Sequence, residues 1–288
     1  MTEPLIGARW IVVPPFRGDA AWRAAASEAA SRAGFQVYDA ESMADGFPIH
    51  DRQAVIIAED AAIAFGSGAP SENIRLIISG PGAANPQTLS EPGPQVAPIT
   101  NLMARAALAP PDRIFRFTDF SGGPLNIFED IPMHAPAAEP DLPMTDYLAA
   151  LTEAAQLLDP ATPAAKWRPA LFNYDSRKAP DGAAGELDLT GRPRFMITGP
   201  YITLPPGNWR AVYRLTFDEP GSRARFRLDW GSQTEYLSEE FTPGQAGIFE
   251  IAQDYVWNEA APAELRVIAL EGIFDGRMTF HGADVSRI

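Results

Sequence analysis

Apolar residues in the first half of the chain come as short unbroken runs separated by stretches with helical spacing. RWIVVPP (Arg9–Pro15), QAVIIAED (Gln53–Asp60) and IRLIISG (Ile74–Gly80) are rich in β-branched residues, and FQVYD (Phe35–Asp39) reads as another strand. Continuous hydrophobicity of this kind suits strands covered on both faces. Between the first two strands, GDAAWRAAASEAASRAG puts Trp22, Ala26, Ala29 and Ala33 on one helical face, with Asp19 as a cap and Gly34 as a stop. ITNLMARAALA (Ile99–Ala109) predicts a helix before the strand RIFRF (Arg113–Phe117). MTDYLAALTEAAQLL (Met144–Leu158) predicts a late helix capped by Thr145. This alternation points to a three-layer α/β domain with a mostly parallel sheet.

The period changes after Leu158. Pro, Ala and Gly crowd Asp159–Gly185, which reads as a linker wrapping onto the second domain. Beyond it the period is two. In NWRAVYRLTF, Trp209, Ala211, Tyr213, Leu215 and Phe217 share one face, and Arg210, Val212, Arg214 and Thr216 share the other. In SRARFRLDW, Phe226, Leu228 and Trp230 oppose Arg225, Arg227 and Asp229. GIFEIA, AELRVIAL and GRMTFHGADVSRI supply further strands, with turns such as DEPGS and TPGQAG between them. Short alternating strands at this spacing predict an antiparallel sandwich or barrel. The expected domains are therefore 1–160, α/β; 161–184, linker; and 185–288, all-β.

Residues 183–288 resemble the jelly-roll β-sandwich of carbohydrate-binding modules, which accompany bacterial enzymes of polysaccharide metabolism. The shared elements are Gly199-Pro200-Tyr201, the turn Leu204-Pro205-Pro206-Gly207, the strand Glu264-Leu265-Arg266-Val267 and the closing GRMTFHGADVSRI. They are turn and core features with no catalytic residue among them, so they imply the fold more directly than a ligand. The N-terminal half resembles Rossmann-like or glycosyltransferase-like domains in element order only, which does not by itself imply a function.

Composition narrows the classes. Over 288 residues, 46% are hydrophobic and 21% charged, an ordinary globular balance. No apolar run approaches the roughly 18–20 residues of a membrane span, and no signal peptide is read at the N-terminus. The chain has no cysteine, so disulfides, thiolate nucleophiles and Cys-ligated metals are excluded; a cytoplasmic location is the expectation. A net charge of −14 argues against nucleic acid and against anionic membrane surfaces as partners. Oligomeric state is left open.

Two regions offer chemistry. Tyr201, Trp209, Tyr213, Trp230, Tyr236, Tyr255 and Trp257 are the rings that could include a sugar-stacking platform. Trp209, Tyr213 and Trp230 share faces with apolar neighbours and read as core. Tyr236, Tyr255 and Trp257 fall outside clear alternation, near strand ends, and read as sugar-stacking candidates, with Asp254 and Asn258 as polar contacts. In the α/β half a ligand would sit beyond the carboxyl ends of the strands. Arg17, Gly80 and Gly82 are the anion-binding candidates there, although both G-x-G-x-x-G and the P-loop are absent. His50, His134 and His281 lack metal-ligand spacing, so no metal or cofactor is assigned. Glu129, Asp130 and His134, and Asp119 with Ser121, are acid–base candidates without a nucleophile motif, and whether the protein is an enzyme is left open. The leading expectation is a carbohydrate-associated protein of bacterial polysaccharide biosynthesis, its sandwich binding a glycan or docking on a biosynthetic protein. The alternatives are a glycosyltransferase-like enzyme using a nucleotide-sugar and a non-catalytic interaction scaffold.

Overall fold

The computed structural model describes residues 7–15, 18–43, 46–78, 93, 96–137, 145–158, 162–175 and 185–288. Its contacts divide the chain into two compact units, Met1–Gln87 with Leu102–Pro143, and Thr88–Asn101 with Met144–Ile288.

The first unit holds β1 (Arg9–Val12), α1 (Asp19–Arg32), β2 (Gln36–Asp39), β3 (Ala54–Ala58), α2 (Ala61–Gly66), β4 (Ile74–Ile78) and the end of α3 (Val96–Ala107). It continues through β5 (Ile114–Arg116) into the hairpin β6 (Leu125–Phe128) and β7 (Ile131–Met133). β1 to β5 form one parallel sheet in the order β2-β3-β1-β4-β5. The pleat sends alternate residues to opposite faces. Ile11 and Val13 pack with Trp22, Ala26, Ala29 and Ala30 of α1, while Trp10 and Val12 pack with Ala61 and Ala64 of α2. The strand order departs from the 3-2-1-4-5 of dinucleotide-binding domains. Here β2 takes the edge and β3 inserts beside β1, and the described residues between β2 and β3 hold only the 3-10 turn Ala40–Ser42. The start of α1 also differs from expectation. Gly18, at φ 84°, is the N-cap, and Asp19 is the first helical residue, accepting a bond from its neighbour Ala20 N at 2.7 Å.

The second unit opens its described part with the first residues of α3 and with α4 (Asp146–Ala154), whose Thr145 cap accepts from Leu148 N at 3.2 Å. α4 buries Tyr147, Ala150, Leu151 and Ala154 and packs against β8 (Ala164–Trp167) and the 3-10 turn Pro169–Leu171. This helix therefore belongs with the sandwich rather than with the α/β part. Then come β9 (Asn173–Tyr174), β10 (Glu186–Asp188), β11 (Arg194–Leu204), β12 (Gly207–Phe217), β13 (Phe226–Ser232), β14 (Tyr236–Phe241), β15 (Gly247–Trp257), β16 (Ala261–Ala269) and β17 (Arg277–Arg287). They form two antiparallel sheets. The first is ordered β10-β17-β12-β15, with β8 also pairing β17; the second is β14-β13-β16-β11-β9. From β11 onward the chain passes between the sheets in the jelly-roll manner. In its described residues the stretch expected as a linker contributes β8 and β9, one to each sheet.

The inner faces follow the predicted alternation. Trp209, Ala211, Tyr213 and Leu215 of β12 and Phe226, Leu228 and Trp230 of β13 are fully buried. Among the described residues no helix is long and apolar enough to cross a membrane. Trp209 donates its indole N–H to Pro205 O at 3.0 Å, and the Arg287 guanidinium lies over its ring. Trp209→Ala is therefore expected to destabilise the sandwich by about 3–5 kcal/mol, read from urea or guanidinium unfolding followed by circular dichroism.

Candidate functional site

The structure separates the five sandwich residues singled out in the sequence. Trp257 is 3% exposed, and Tyr255 is half-buried. They do not lie outside the alternation; they continue the inward face of β15 after Phe249, Ile251 and Gln253. Ring centroids run from Tyr255 to Trp257 at 4.6 Å, on to Trp230 at 5.0 Å and to Trp167 at 5.6 Å, so Trp257 is core aromatic and not an open platform. Asp254 points to the opposite side. On the outer face of the first sheet it takes a bidentate pair from Arg210 at 2.7 and 2.8 Å, which holds its carboxyl below the ordinary value. Asn258 is exposed in the turn after β15. Arg17, Gly80 and Gly82 lie outside the described residues.

Tyr236 belongs to a different cluster, on the outer face of the second sheet. Antiparallel pairing aligns Tyr236 of β14 with Gly231 of β13, Glu264 of β16 and Pro200 of β11 in one row. The next row is Ser238, Asp229, Arg266 and Thr198, and Phe195 pairs with Ile268 beyond it. Two carboxylates are nearly enclosed on this face: the side chains of Glu264 and Asp229 are 4% and 2% exposed. Buried carboxylates need partners, and both have them. Glu264 accepts from Arg266 Nη2 at 2.7 Å and from the Tyr236 hydroxyl. Asp229 accepts from Ser238 Oγ at 2.7 Å and pairs with Arg227 Nε at 3.0 Å. The Arg266 guanidinium lies 4.0 Å from the Tyr236 ring centroid and 5.6 Å from that of Phe195, a cation–π arrangement. Phe195 is 52% exposed.

Tyr201 closes the cluster. The ladder between β11 and β16 is irregular between Pro200 and Ile202, and Tyr201 sits in that bulge at φ 67°. Among the described residues it is the one non-glycine position with positive φ. The left-handed region is disfavoured for such a residue by about 1–2 kcal/mol. The Tyr201 ring is half-buried. Burial first, and Glu264 second, raise the Tyr201 phenol above its ordinary value. Burial and the Glu264 bond do the same for Tyr236. Both phenols therefore stay protonated and able to donate. Tyr201 is one of the rings the sequence offers for stacking, whereas Phe195, Glu264 and Arg266 are site residues that the sequence reading does not single out as ligand contacts. The signal in the sequence is the apolar Phe195 on a strand whose neighbours Met196 and Ile197 are buried, and the bulge-forming Gly-Pro-Tyr.

In the first unit, charged groups gather at the carboxyl ends of the parallel strands. Arg23 pairs with Glu59 and, at 3.7 Å, with Asp19. Arg105 pairs with Asp60 at 3.0 Å, and Asp60 also caps α2 by accepting from Ala62 N at 2.8 Å. Glu41 accepts from Glu59 N at 2.6 Å. Partial enclosure of its carboxyl, then hydrogen bonding with Asp39, pushes the Glu41 pKa up to about 7, against the pull of Arg23. The acid–base candidates do not assemble. Glu129 and Asp130 form the turn of the β6–β7 hairpin, where Asp130 pairs with Arg9, and His134 is exposed after β7. Asp119 accepts from Arg116 N at 2.7 Å within a 3-10 turn, and Ser121 is exposed. His281 bonds Thr216 at 2.8 Å on the first sheet. Among the described residues no group of three or more His, Asp or Glu is placed to hold a metal ion.

No protein-family model matches the chain, and no curated protein matches it. Solved structures that match over the C-terminal portion include carbohydrate-binding modules. A family 61 module in complex with β-1,4-galactotriose is 11% identical, covering 41% of this chain and 87% of that one, at a TM-score of 0.31. A family 16 module is 11% identical over 37% of this chain and 79% of that one, at 0.27. The C-terminal family 6 module of LamC from Zobellia galactanivorans is 18% identical over 40% and 90%, at 0.27. At these identities the matches set no residue of the present site.

Two outcomes are expected. Trp257→Ala removes a buried ring that touches Trp230 and Tyr255, so unfolding by denaturant should show a loss of about 3–5 kcal/mol. Glu41 carries the opposite pH sign from an ordinary paired carboxylate. Its folded pKa stands above its ordinary value, so the folded state holds the extra proton between about 4.5 and about 7. Stability from this group is present below that window and is lost as pH rises through it. Urea melts should accordingly show Glu41→Gln gaining on the wild type between pH 5 and pH 8; a gap independent of pH would refute the assignment.

Proposed function

We propose that the sandwich unit is a glycan-binding module and that the chain is a carbohydrate-associated protein, acting beside the enzymes or partner proteins of bacterial polysaccharide biosynthesis. One observation carries the binding reading. Of the two outer faces, that of the second sheet presents Phe195, Tyr201 and Tyr236 around the Glu264–Arg266 pair, whereas that of the first sheet presents no Phe, Tyr or Trp among its described residues. A pyranose has an apolar C–H face and a rim of hydroxyls. The accessible Phe195 ring suits the first. Glu264, Asp229, Arg266 and the two neutral phenols suit the second, as acceptors and donors already held in place.

A Rossmann-like, three-layer reading of the first unit is supported by the packing of both faces of its parallel sheet. A nucleotide-sugar at its strand ends is the alternative function. The described charged groups there do not favour it, because Arg23 and Arg105 already face carboxylates and a diphosphate would meet Asp19, Glu41, Glu59 and Asp60.

The test is binding by calorimetry to cello-, xylo-, galacto- and laminari-oligosaccharides, with nucleoside-diphosphate sugars as a parallel arm. The wild type is expected to hold at least one oligosaccharide. Phe195→Ala, at an exposed position, should weaken it by about three- to tenfold with the melting temperature nearly unchanged. Binding of a nucleotide-sugar but of no oligosaccharide would transfer the function to the first unit.

A further inference from the structure

The inward face of the first sheet ends on a charge. Along β17, Ala283 and Val285 are buried inward residues, and Arg287 is the next on that side. Strand pairing sets it in one row with Trp209 of β12 and Tyr255 of β15. The other arginines of β11 to β17, namely Arg194, Arg210, Arg214, Arg227, Arg266 and Arg277, each pair with a carboxylate. Among the described residues Arg287 has no such partner, and its Nε is buried without a hydrogen bond. Glu235, on the adjoining turn, takes the Tyr255 phenol at 3.4 Å instead. A buried donor without an acceptor is costly, and more so on a charged group.

The surroundings hold this arginine in place and leave room beside it. Its guanidinium carbon lies 4.9 Å from the Trp209 ring centroid, a cation–π contact that fixes the planar fork against the ring. Gly207 keeps the adjoining space open: a Cβ there would stand 3.6 Å from Trp209 Nε1 and 3.8 Å from Arg287 Nε, and φ 149° disfavours any larger residue. Across the strand pair Gly207 faces Trp257, whose indole N–H is also buried without a partner. Pro206 and Asn208 on either side are exposed, and Arg287 itself is partly so, which leaves the place open to solvent.

Resting on the glycan reading above, we infer that this end of the sandwich is a second binding site and that it takes a uronic acid residue of an acidic glycan. The sugar carboxylate is the acceptor and counter-charge that Arg287 lacks, and its planar shape matches the guanidinium fork. The net charge of −14 opposes an anion only at long range, because beyond about 8 Å it is largely screened at physiological ionic strength. Contact with Arg287 is not screened in this way.

The test is calorimetry at physiological ionic strength with short oligogalacturonates and oligoglucuronates, their methyl esters, the neutral panel above and an acidic peptide of Asp and Glu. The ester differs from the acid only in charge. The wild type is expected to hold at least one uronate at least about tenfold more tightly than its ester. Arg287→Met, which still covers Trp209, should abolish that preference. Arg210→Met, which removes an arginine of the outer face, should retain it. Arg287→Lys keeps the charge without the fork and serves if Arg287→Met does not fold; its preference should fall by at least about threefold. An ester that binds as well as the acid overturns the inference and leaves the glycan reading intact. So does a folded Arg287 variant with the preference unchanged, and so does binding of the peptide or of neutral oligosaccharides with no uronate held. A wild type that binds no oligosaccharide, acidic or neutral, overturns the glycan reading and the inference with it.

Discussion

The phenol of Tyr213 crosses the interior of the sandwich from β12 and donates to the carbonyl of Asp229 on β13 or to Gln253 Oε1, at 3.0 and 2.9 Å, while Gln253 Nε2 reaches Leu228 O at 3.4 Å. All of these groups are buried. An unsatisfied polar group there would cost about 1–3 kcal/mol, so the two sheets are held to the one mutual register in which the phenol, the amide and the two carbonyls meet. That register has an outside consequence. With the Asp229 carbonyl reached from within, β13 turns the Asp229 side chain outward, onto Ser238 and Arg227. One cross-strand place along, Gly231 then falls between Tyr236 and Glu264. A Cβ at Gly231 would stand 2.1 Å from Glu235 O, so only glycine lets β14 approach closely there. The interior bond thus fixes which residues the outer face can offer.

Most of the sandwich is legible in the sequence because its strands are long and covered on one face, so period two survives intact from Trp209 to Phe217 and from Phe226 to Trp230. The α/β half is legible as alternating elements, and less so as a topology. Continuous apolar runs such as Ala54–Ala58 announce burial on both faces but carry no information on which strand lies beside which. The place of β3 between β2 and β1 is a matter of strand pairing, which no periodicity encodes. The period of the late helix likewise shows that α4 exists without showing that it packs on β8.

The site is less legible than the fold. The turn after Tyr255 and Trp257 suggests that both rings face outward, yet β15 keeps its alternation to its last residue and carries both inward. Tyr236 is visible by its place near a strand end. Its partners Glu264 and Arg266 lie 28 and 30 residues away and meet it only through the pairing of β14, β13 and β16. Tyr201 is visible as one ring before a turn, but its left-handed backbone belongs to a bulge, a local break of the period-two rule on which the sequence reading relies.

A flat outer sheet face ordinarily exposes charges to water, where pairs contribute little. Arg210–Asp254 and Arg214–Glu250 on the first sheet are of this kind. The second sheet differs because its aromatic rings shield its carboxylates. Under Tyr236 and Arg266, Glu264 loses solvent, so each hydrogen bond to it is stronger and each missing one more costly. The same enclosure keeps both neighbouring phenols protonated, leaving the carboxylate surrounded by donors and its charge compensated by one arginine. An added cation would find Arg266 in its way, and an added anion would face Glu264. On the proposed glycan reading a neutral hydroxyl-bearing molecule meets neither objection, because its hydroxyls can bond the polar groups of this face while its C–H face rests on Phe195. On that reading the buried carboxylate and the exposed ring favour one ligand chemistry together, which neither would do alone.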